Sequence, residues 1–489
     1  MIGLPAVVTF IVYFILLMIV GSYFYTRTKS VEDYLLGGRA MGPWVTALSA
    51  QASDMSGWLL MGLPGAMYLG GMPESWIAIG LFIGTVVNWK LISARLRIYT
   101  ERSNAITLSS FFEDRFQDPT GALRIISGII ILIFFTIYAS SGIVAAGRLF
   151  ESMFGLDYHS AAIIGTAAIV VYTFLGGFLA VCWTDLFQGA LMVVAIVVVP
   201  IIGINSVGGV GELSQALSAA GVSTSLFGAG GFIAVISTMA WGLGYFGQPH
   251  ILARFMSINS IRQLPRARLV AIVWVFVSLS FAVIVGLVGV GMFTGLEGGA
   301  EETVFILMIS ELFNPWVGGI LLAAILSAIM STIDSQLLVS SSALTEDFYK
   351  KVLQREAGEK QLVIIGRACV VIISVIALLL ALNPNNTVLG LVSYAWGGFG
   401  AAFGPVVIFA LFSRKTGWKA ALAGMVVGTV VLVVWERIGL GAYMYEIVPG
   451  FIANAVTIMA VNSVVGEPEA EVAAGFDEVV ATVKAGGEF

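Results

Sequence analysis

The stretch ALSAQASDMSGWLLMGLPGAMYLGG, residues 47–71, is apolar enough to cross a membrane, yet its centre holds a carboxylate, a glutamine and several serines. A charged side chain at the bilayer centre costs about 2.5 to 3.5 kcal/mol, so Asp54 needs a partner or a cavity. Glycines and a proline nearby predict that the helix unwinds between Ala52 and Met55. Freed carbonyls there would face a cation, and the amides of a second half-helix starting near Ser56 would face an anion. Alternatively, Asp54 caps that half-helix.

Composition predicts an all-α integral membrane protein. Of the 489 residues 58% are hydrophobic and 11% are charged, whereas roughly a quarter are charged in soluble proteins. Apolar runs of about 20 residues recur along the chain, each long enough to cross a bilayer as a helix. We predict thirteen spans, at 5–25, 45–70, 74–94, 124–149, 159–181, 185–206, 229–253, 268–294, 314–343, 362–383, 387–412, 418–436 and 443–463.

The distribution of Lys and Arg predicts the topology. With the N-terminus outside, 22 of the 24 basic residues lie on cytoplasmic loops, including Arg27, Lys29 and the run from Arg254 to Arg268. Only Arg148 and Arg437 then lie outside, as the positive-inside rule requires. The C-terminus is predicted to be cytoplasmic.

Span 7 is similar in kind to span 2, because its segment STMAWGLGYFGQPHILARF is also rich in glycine and interrupted by polar residues and a proline. The two lie five spans apart and therefore run antiparallel, which predicts an inverted repeat of spans 2–6 and 7–11. Paired broken helices indicate a transporter binding site near the bilayer midplane. Residues 1–464 would form this domain. The acidic tail, 465–489, is either an amphipathic helix or a solvated end, and its composition favours the latter.

Span 9 carries a polar stripe at helical spacing, formed by Ala328, Ser331, Thr332 and Ser335. Oxygen ligands of this kind suit a hard cation. The alternative is that the hydroxyls bond back to carbonyls of their own helix. Asp334 adjoins the stripe and is a second intramembrane acid.

Further candidates lie on spans 4, 6 and 7. Asp185 opens the predicted span 6 and is either an interfacial cap or a cation-coupling group. The bend expected in span 7 would place aromatic and polar side chains around a small, partly apolar solute, although aromatic residues at this spacing also occur in ordinary cores. The residues that would line such a pocket are Trp241, Tyr245, Gln248 and Pro249, with Tyr138 and Ser141 on span 4.

The sequence lacks the motifs of the main alternative classes. It contains neither the GxxxxGK[ST] phosphate loop nor the HExxH zinc pattern, and its only histidines are His159 and His250. Energy would therefore come from an ion gradient, and no enzyme activity is predicted.

Long phrases resemble the sodium/solute symporter family along nearly the whole chain. They include GLPGAMYLGGMPESWIAIG, FFTIYASSGIVAAGRLFES, WGLGYFGQPHILARFM and MSTIDSQLLVSSSALTEDFYK. The resemblance implies the inverted-repeat fold of the leucine-transporter type, with thirteen spans, in a prokaryotic inner membrane. It also implies sodium-coupled uptake of L-proline by alternating access. Another amino acid, betaine or choline is the alternative solute, and an ion channel is a less favoured class. No cofactor, nucleic acid or obligatory protein partner is implied besides sodium, the solute and the lipid bilayer.

The resemblance also implies roles for individual residues. The main sodium site would use the carbonyls of Ala52, Met55 and Ala328 with the hydroxyls of Ser331 and Thr332. Asp54 would support sodium coupling, and Ser56 and Gly57 would face the substrate carboxylate. Trp241, Tyr245 and Pro249 match a proline-contacting motif, while Arg39, in LLGGRAMG, matches a cytoplasmic arginine linked to transport.

One residue departs from the family pattern. The position of Asp334 is normally a serine in proline carriers, and relatives with a second sodium site build it from an acid matching Asp185 and from span-9 positions matching Ser331, Asp334 and Ser335. Our hypothesis is that Asp334 and Asp185 form a second cation site or a proton-titrating pair.

Overall fold

The protein is described here from a computed structural model, which covers residues 4–25, 30–175, 177–228, 230–353 and 358–486. Arg27 and Lys29, two of the predicted cytoplasmic residues, lie outside these ranges. Helices dominate, and the described residues contain no β-strand, only an isolated bridge between Met41 and Ile258. The all-α prediction is confirmed.

Each predicted span corresponds to one helix or to a broken pair of helices. In order they are Leu4–Tyr25; Pro43–Asp54 with Trp58–Gly70; Met72–Arg102; Ala122–Phe154; Tyr158–Leu175; Phe178–Ser206; Gly231–Gly247 with Pro249–Ser257; Leu264–Met292; Pro315–Ser342 continued by Ala343–Leu353; Glu359–Ala381; Val388–Phe412; Trp418–Arg437; and Ile447–Val465. Shorter helices in the connections and the tail are Val31–Leu36, Leu108–Phe116, Val210–Ala219, Val304–Leu312 and Ala470–Ala485.

Among the described residues, 10 helices are long and apolar enough to cross a membrane. Shorter apolar helices are Trp58–Gly70, Tyr158–Phe174 and Gly231–Gly247, which belong to spans 2, 5 and 7. The number thirteen therefore stays a prediction.

Spans 2 and 7 are both broken, as predicted, but the unwinding predicted between Ala52 and Met55 is wrong for Ala52 to Asp54, which are still helical. Span 2 stays helical through Asp54 because the Met55 N–H still donates to the Gln51 carbonyl at 2.8 Å. The chain then leaves helical geometry at Met55, with φ −87° and ψ 81°. Span 7 breaks at Gln248, with φ −77° and ψ 107°, immediately before Pro249, whose ring disfavours a helical residue in front of it. The interpretation of Asp54 as an N-cap is wrong, because Asp54 ends the first half-helix instead.

Two glycines let span 3 pack directly on the first half of span 7. A Cβ at Gly80 would lie 2.2 Å from the Met239 carbonyl oxygen, and one at Gly84 would lie 2.4 Å from the Gly242 carbonyl oxygen. Only glycine fits at such distances. Small residues thus position the broken helix that carries the aromatic candidates.

Two charged residues lie deeper than predicted. Span 6 begins at Phe178, so Asp185 is two turns inside the helix and fully buried. The interpretation of Asp185 as the start of the span or as an interfacial cap is therefore wrong. Arg254, counted among the loop residues, lies in the helix Pro249–Ser257 and is fully buried as well.

The C-terminal tail forms the helix Ala470–Ala485, so the favoured interpretation of a solvated end is wrong and the amphipathic alternative is found. Its apolar face buries Val472 and Val479. Its acidic face meets basic residues, with Arg102 Nε 2.7 Å from a Glu478 carboxylate oxygen.

Candidate functional site

The break in span 2 is held by the main chain of Asp54. Its carbonyl accepts hydrogen bonds from the Ser56 N–H at 3.1 Å, the Trp58 indole at 3.0 Å and the Tyr138 hydroxyl at 3.1 Å. Its carboxylate Oδ2 accepts a hydrogen bond from the Tyr245 hydroxyl at 2.6 Å. Residues of spans 2, 4 and 7 therefore meet at one fully buried point.

The break also frees the Ala52 carbonyl for contacts with span 9. In a continuous helix the Ser56 N–H would bond to this carbonyl, but here it bonds to the Asp54 carbonyl. The Ala52 carbonyl accepts hydrogen bonds from the hydroxyls of Ser331 at 2.7 Å and Thr332 at 3.2 Å instead. The Ser331 hydroxyl is also 3.2 Å from the Ala328 carbonyl. Four of the five sodium ligands implied by the family resemblance thus lie together.

This oxygen cluster has the chemistry of a hard-cation site. Carbonyl and hydroxyl oxygens bind sodium-like ions through lone pairs, and a hydroxyl can rotate its hydrogen away from the ion. The alternative, a Ser331 hydroxyl that bonds only to its own helix, does not describe this residue. Its contact with the Ala52 carbonyl of span 2 is shorter than its contact with the Ala328 carbonyl. Met55, the fifth residue implied, lies at the break and is fully buried.

The second half of span 2 begins against span 4. The Trp58 N–H donates to the Ser56 hydroxyl at 3.3 Å. A Cβ at Gly57 would lie 2.8 Å from the Ala145 Cβ, so the backbone approaches span 4 closely there. Ser56 and Gly57 therefore lie at the start of the second half-helix, the end at which a helix dipole favours an anion.

Aromatic rings extend from this point. Trp58 and Trp241 have ring centroids 6.4 Å apart, and those of Tyr245 and Trp396 are 5.1 Å apart at 88°. The Trp396 indole donates to the Trp241 carbonyl at 2.7 Å, which ties span 11 to span 7. The sequence analysis missed Trp58 and Trp396. The signal for Trp396 was its glycine-rich surrounding, SYAWGGFG, which is similar to AWGLGYFG in span 7.

Three other candidates have separate contacts. The Gln248 side-chain amide donates to the Trp396 carbonyl at 3.3 Å. Ser141 donates to the Tyr138 carbonyl of its own helix at 2.6 Å, as the back-bonding alternative describes. Pro249 lines a small cavity of about 20 Å³ together with Asp347.

Asp185 forms a buried ion pair that the sequence analysis did not foresee. Its Oδ2 lies 3.3 Å from Arg254 Nη2 and accepts a hydrogen bond from the Ser49 hydroxyl at 2.6 Å. The same guanidinium donates to Ser49 at 3.0 Å and to the Ser335 hydroxyl at 2.5 Å. Arg254 therefore links spans 2, 6, 7 and 9, and buried charges of this kind require such partners.

Asp334 has a different environment. One of its carboxylate oxygens accepts a hydrogen bond from the Thr173 hydroxyl of span 5. The other has no hydrogen-bond partner in the part of the chain that the structure describes. Asp334 and Asp185 are both fully buried, but each bonds to its own neighbours and not to the other.

Arg39 joins the ends of three segments on the basic side of the molecule. Its guanidinium donates to the Thr100 hydroxyl and carbonyl at 3.2 and 2.9 Å, to the Ala105 carbonyl at 2.8 Å and to the Met256 carbonyl at 3.0 Å. Glu32 lies 3.5 Å from it. Arg39 thus connects the chain before span 2 to the ends of spans 3 and 7.

Comparisons with known proteins agree with this architecture. Residues 34–428 match the model of the sodium:solute symporter family. The chain is 50% identical over 486 residues to the sodium/proline symporter of Escherichia coli K12, covering 98% of this chain and 96% of the relative. It is 48% identical to the high-affinity proline transporter PutP of Bacillus subtilis, covering 94% and 98%.

A solved structure shows the fold directly. An outward-open, substrate-bound Na⁺-coupled sialic acid symporter superposes with a TM-score of 0.82 at 17% sequence identity, covering 96% of this chain and 100% of that one. A nucleobase-cation-symport-1 transporter gives a TM-score of 0.55 at 15% identity, covering 92% and 98%. The leucine-transporter type of fold is therefore confirmed.

Proposed function

Because the chain belongs to the sodium:solute symporter family, we propose that it uses inward sodium movement to import L-proline across a bacterial inner membrane. The observation that carries this proposal is the Ala52 carbonyl, which the break in span 2 releases toward the hydroxyls of Ser331 and Thr332. The names of the relatives support proline as the solute.

Sodium is proposed to bind at this oxygen cluster, with the carbonyls of Ala52, Met55 and Ala328 and the hydroxyls of Ser331 and Thr332 as ligands. The ion would replace hydrogen bonds that now join spans 2 and 9. The bound ion would thereby fix the distance between spans 2 and 9. The two hydroxyl contacts alone hold this distance less firmly, because hydroxyl groups can rotate.

Proline is proposed to bind beside the break. Its carboxylate would face the backbone of Ser56 and Gly57 at the positive end of the half-helix. Its ring would pack against Trp241 and Tyr245, with Tyr138 closing the side toward span 4. Ser141, Gln248 and Pro249 are proposed to shape the rest of the pocket.

Asp54 is proposed to couple the two ligands. It immediately precedes a sodium ligand, Met55, and holds the hydroxyl of a substrate residue, Tyr245, at 2.6 Å. A sodium ion that fixes the conformation of the break in span 2 would therefore also fix the position of the Tyr245 ring. Each ligand must then tighten binding of the other by the same factor, because coupling free energies are reciprocal.

A second cation is proposed near Asp334 and Asp185, with Ser335 as a neighbouring hydroxyl. Since Arg254 already compensates Asp185, the added positive charge would be held mainly by Asp334. Sodium and a proton both fit that requirement. A transport current of one charge per solute, unchanged in Asp334→Ser, would contradict this proposal.

The orientation is proposed to be N-terminus outside, with residues 465–489 as an acidic cytoplasmic tail after a single membrane domain, 1–464. The tail helix supports it by pairing with basic residues of the Arg-rich side, Arg102 and Arg414. Arg39 lies on the same side and is proposed to hold the cytoplasmic pathway closed.

Equilibrium binding of radiolabelled proline to purified protein tests the sodium site. Sodium is expected to raise proline affinity, and Ser331→Ala with Thr332→Val is expected to shift the required sodium concentration upward by about tenfold or more. The control is Ser374→Ala, since this buried hydroxyl bonds only to the Val370 carbonyl of its own helix among the contacts described. Equal sodium dependence in all variants would contradict the proposed site.

A further inference from the structure

A cavity of about 600 Å³ borders Trp241 and is lined by residues of spans 2, 7 and 11 and of the short segments Ala300–Thr303 and Leu440–Ala442. Its rim includes the exposed residues Leu69 and Gly441, and its floor includes the buried rings of Trp241 and Tyr445. The volume is that of a site for a small organic molecule. None of the described residues that line it is basic.

Its polar lining combines hydroxyl groups with four carboxylates, of which Glu74 is the most exposed. Glu301 accepts a hydrogen bond from the Gly299 N–H at 2.8 Å, and Glu302 pairs with Arg148 at 2.6 Å. Glu446 differs, because it is only 7% exposed and yet has no hydrogen bond to another residue and no ion pair among the described residues. A buried acid without a counter-charge is costly to ionise unless a ligand supplies one.

The aromatic floor is rigidly held. The rings of Trp241 and Tyr445 have centroids 5.5 Å apart at 33°. The Tyr445 hydroxyl donates to the Ser393 carbonyl at 2.6 Å, and its backbone N–H donates to the Ser237 hydroxyl at 2.7 Å. Spans 7 and 11 therefore fix the ring next to Glu446, so little ordering remains for a ligand to impose.

We propose that this cavity is a second, outer binding site for organic ammonium compounds that carry an apolar group. The cationic nitrogen would lie beside Glu446 and over the aromatic rings, which attract cations through their faces. The apolar group would fill space toward Leu69.

The site is separate from the proposed proline site but adjacent to it. Trp241 contributes to both, since one neighbour of its ring is Tyr445 in the cavity and another is Trp58 beside the break. A ligand in the cavity would cover the approach to Trp241. We therefore expect such compounds to slow uptake by blocking access.

Calorimetric titration of the purified full-length protein with benzyltrimethylammonium tests the proposal. We expect saturable binding, no comparable binding of the anionic phenylacetate, and a loss of about tenfold in affinity in Glu446→Gln. Glu311→Gln is the matched control, because this acid is exposed and lies outside the cavity. Leu69→Trp, which narrows the exposed rim, is expected to weaken binding without disturbing buried contacts.

Two results would overturn the proposal. One is equal affinity for the probe in the wild type, Glu446→Gln and Leu69→Trp. The other is competitive displacement of the probe by L-proline together with no effect of Glu446→Gln, which would place the probe at the inner site. Because the titration needs neither a sodium gradient nor transport, its outcome is independent of the proposed solute.

Discussion

Asp54 acts through both its main chain and its side chain. Its carbonyl fixes the break by accepting three hydrogen bonds, and its carboxylate receives the Tyr245 hydroxyl. The sequence alone could predict that this acid needs partners, because the cost of a membrane carboxylate is general. It could not predict which hydroxyl provides one, because Tyr245 reaches Asp54 only through the packing of span 7 on span 2.

Tyr245→Phe tests the side-chain contact. The substitution removes the hydroxyl and leaves the buried Asp54 carboxylate without its donor, at a cost of about 1 to 3 kcal/mol in unfolding free energy. Proline uptake is expected to fall by about tenfold or more. Thermal unfolding and initial uptake rates in proteoliposomes measure the two effects. Tyr443→Phe serves as the control, because this ring is exposed; identical behaviour of both variants would contradict the role assigned to the contact.

The ion pair of Arg254 and Asp185 provides a second test of individual side-chain contacts. Arg254→Gln leaves a buried carboxylate uncompensated and is expected to destabilise the protein by about 3 to 5 kcal/mol. The double variant with Asp185→Asn should recover part of that loss. Thermal unfolding of the two single variants and the double variant gives the coupling energy. Strictly additive losses would show that the pair does not interact as described.

Among the elements, the broken spans were the easiest to predict and the boundary between spans 5 and 6 was the hardest. Polar residues and glycines inside spans 2 and 7 have few explanations other than a break. Residues 178–181, FLAV, are instead as apolar as the end of span 5. Hydropathy therefore joined them to the wrong helix, and Asp185 was placed at a helix end.

The packing of span 3 on span 7 gives a prediction about how these two helices fit together. Gly80→Ala would place a Cβ 2.2 Å from the Met239 carbonyl oxygen, so the helices must separate. We expect lower thermal stability and a loss of uptake through displacement of Trp241. Gly211→Ala is the matched control, because a Cβ at this helical glycine meets nothing within 4 Å. Equal stability of the two variants would contradict the close packing.

Across the whole molecule, the two sides of the site differ. On the basic side Arg39 binds Thr100, Ala105 and Met256, and the cavity near Pro249 has a volume of only about 20 Å³. On the opposite side a cavity of about 600 Å³ reaches Trp241. This asymmetry is typical of a transporter that is closed on one side, here the side of Arg39, and open on the other. The sequence could supply the fold through its repeat and resemblance, but not the conformation, since both states use the same helices.

Arg39→Lys should shift this conformational equilibrium. Lysine cannot reproduce the forked hydrogen bonds of the guanidinium, so the side of the molecule that holds Arg39 is expected to open more often. Thiol labelling of Ala253→Cys, which lines the small cavity, should then be several-fold faster, and sodium should slow it. Arg437→Lys, on the opposite side in the predicted topology, is the control. Labelling at the rate of the Ala253→Cys parent would contradict the role of Arg39.

The most direct test of sodium-coupled import is uptake of radiolabelled L-proline into proteoliposomes that contain the purified protein. An inward sodium gradient is expected to drive transient accumulation above equilibrium, and potassium in place of sodium should abolish it. Ser331→Ala with Thr332→Val should lose this accumulation, whereas Ser374→Ala should retain it. Sodium-coupled import would be contradicted if no proline accumulated with the sodium gradient, or if the same amount accumulated without the gradient.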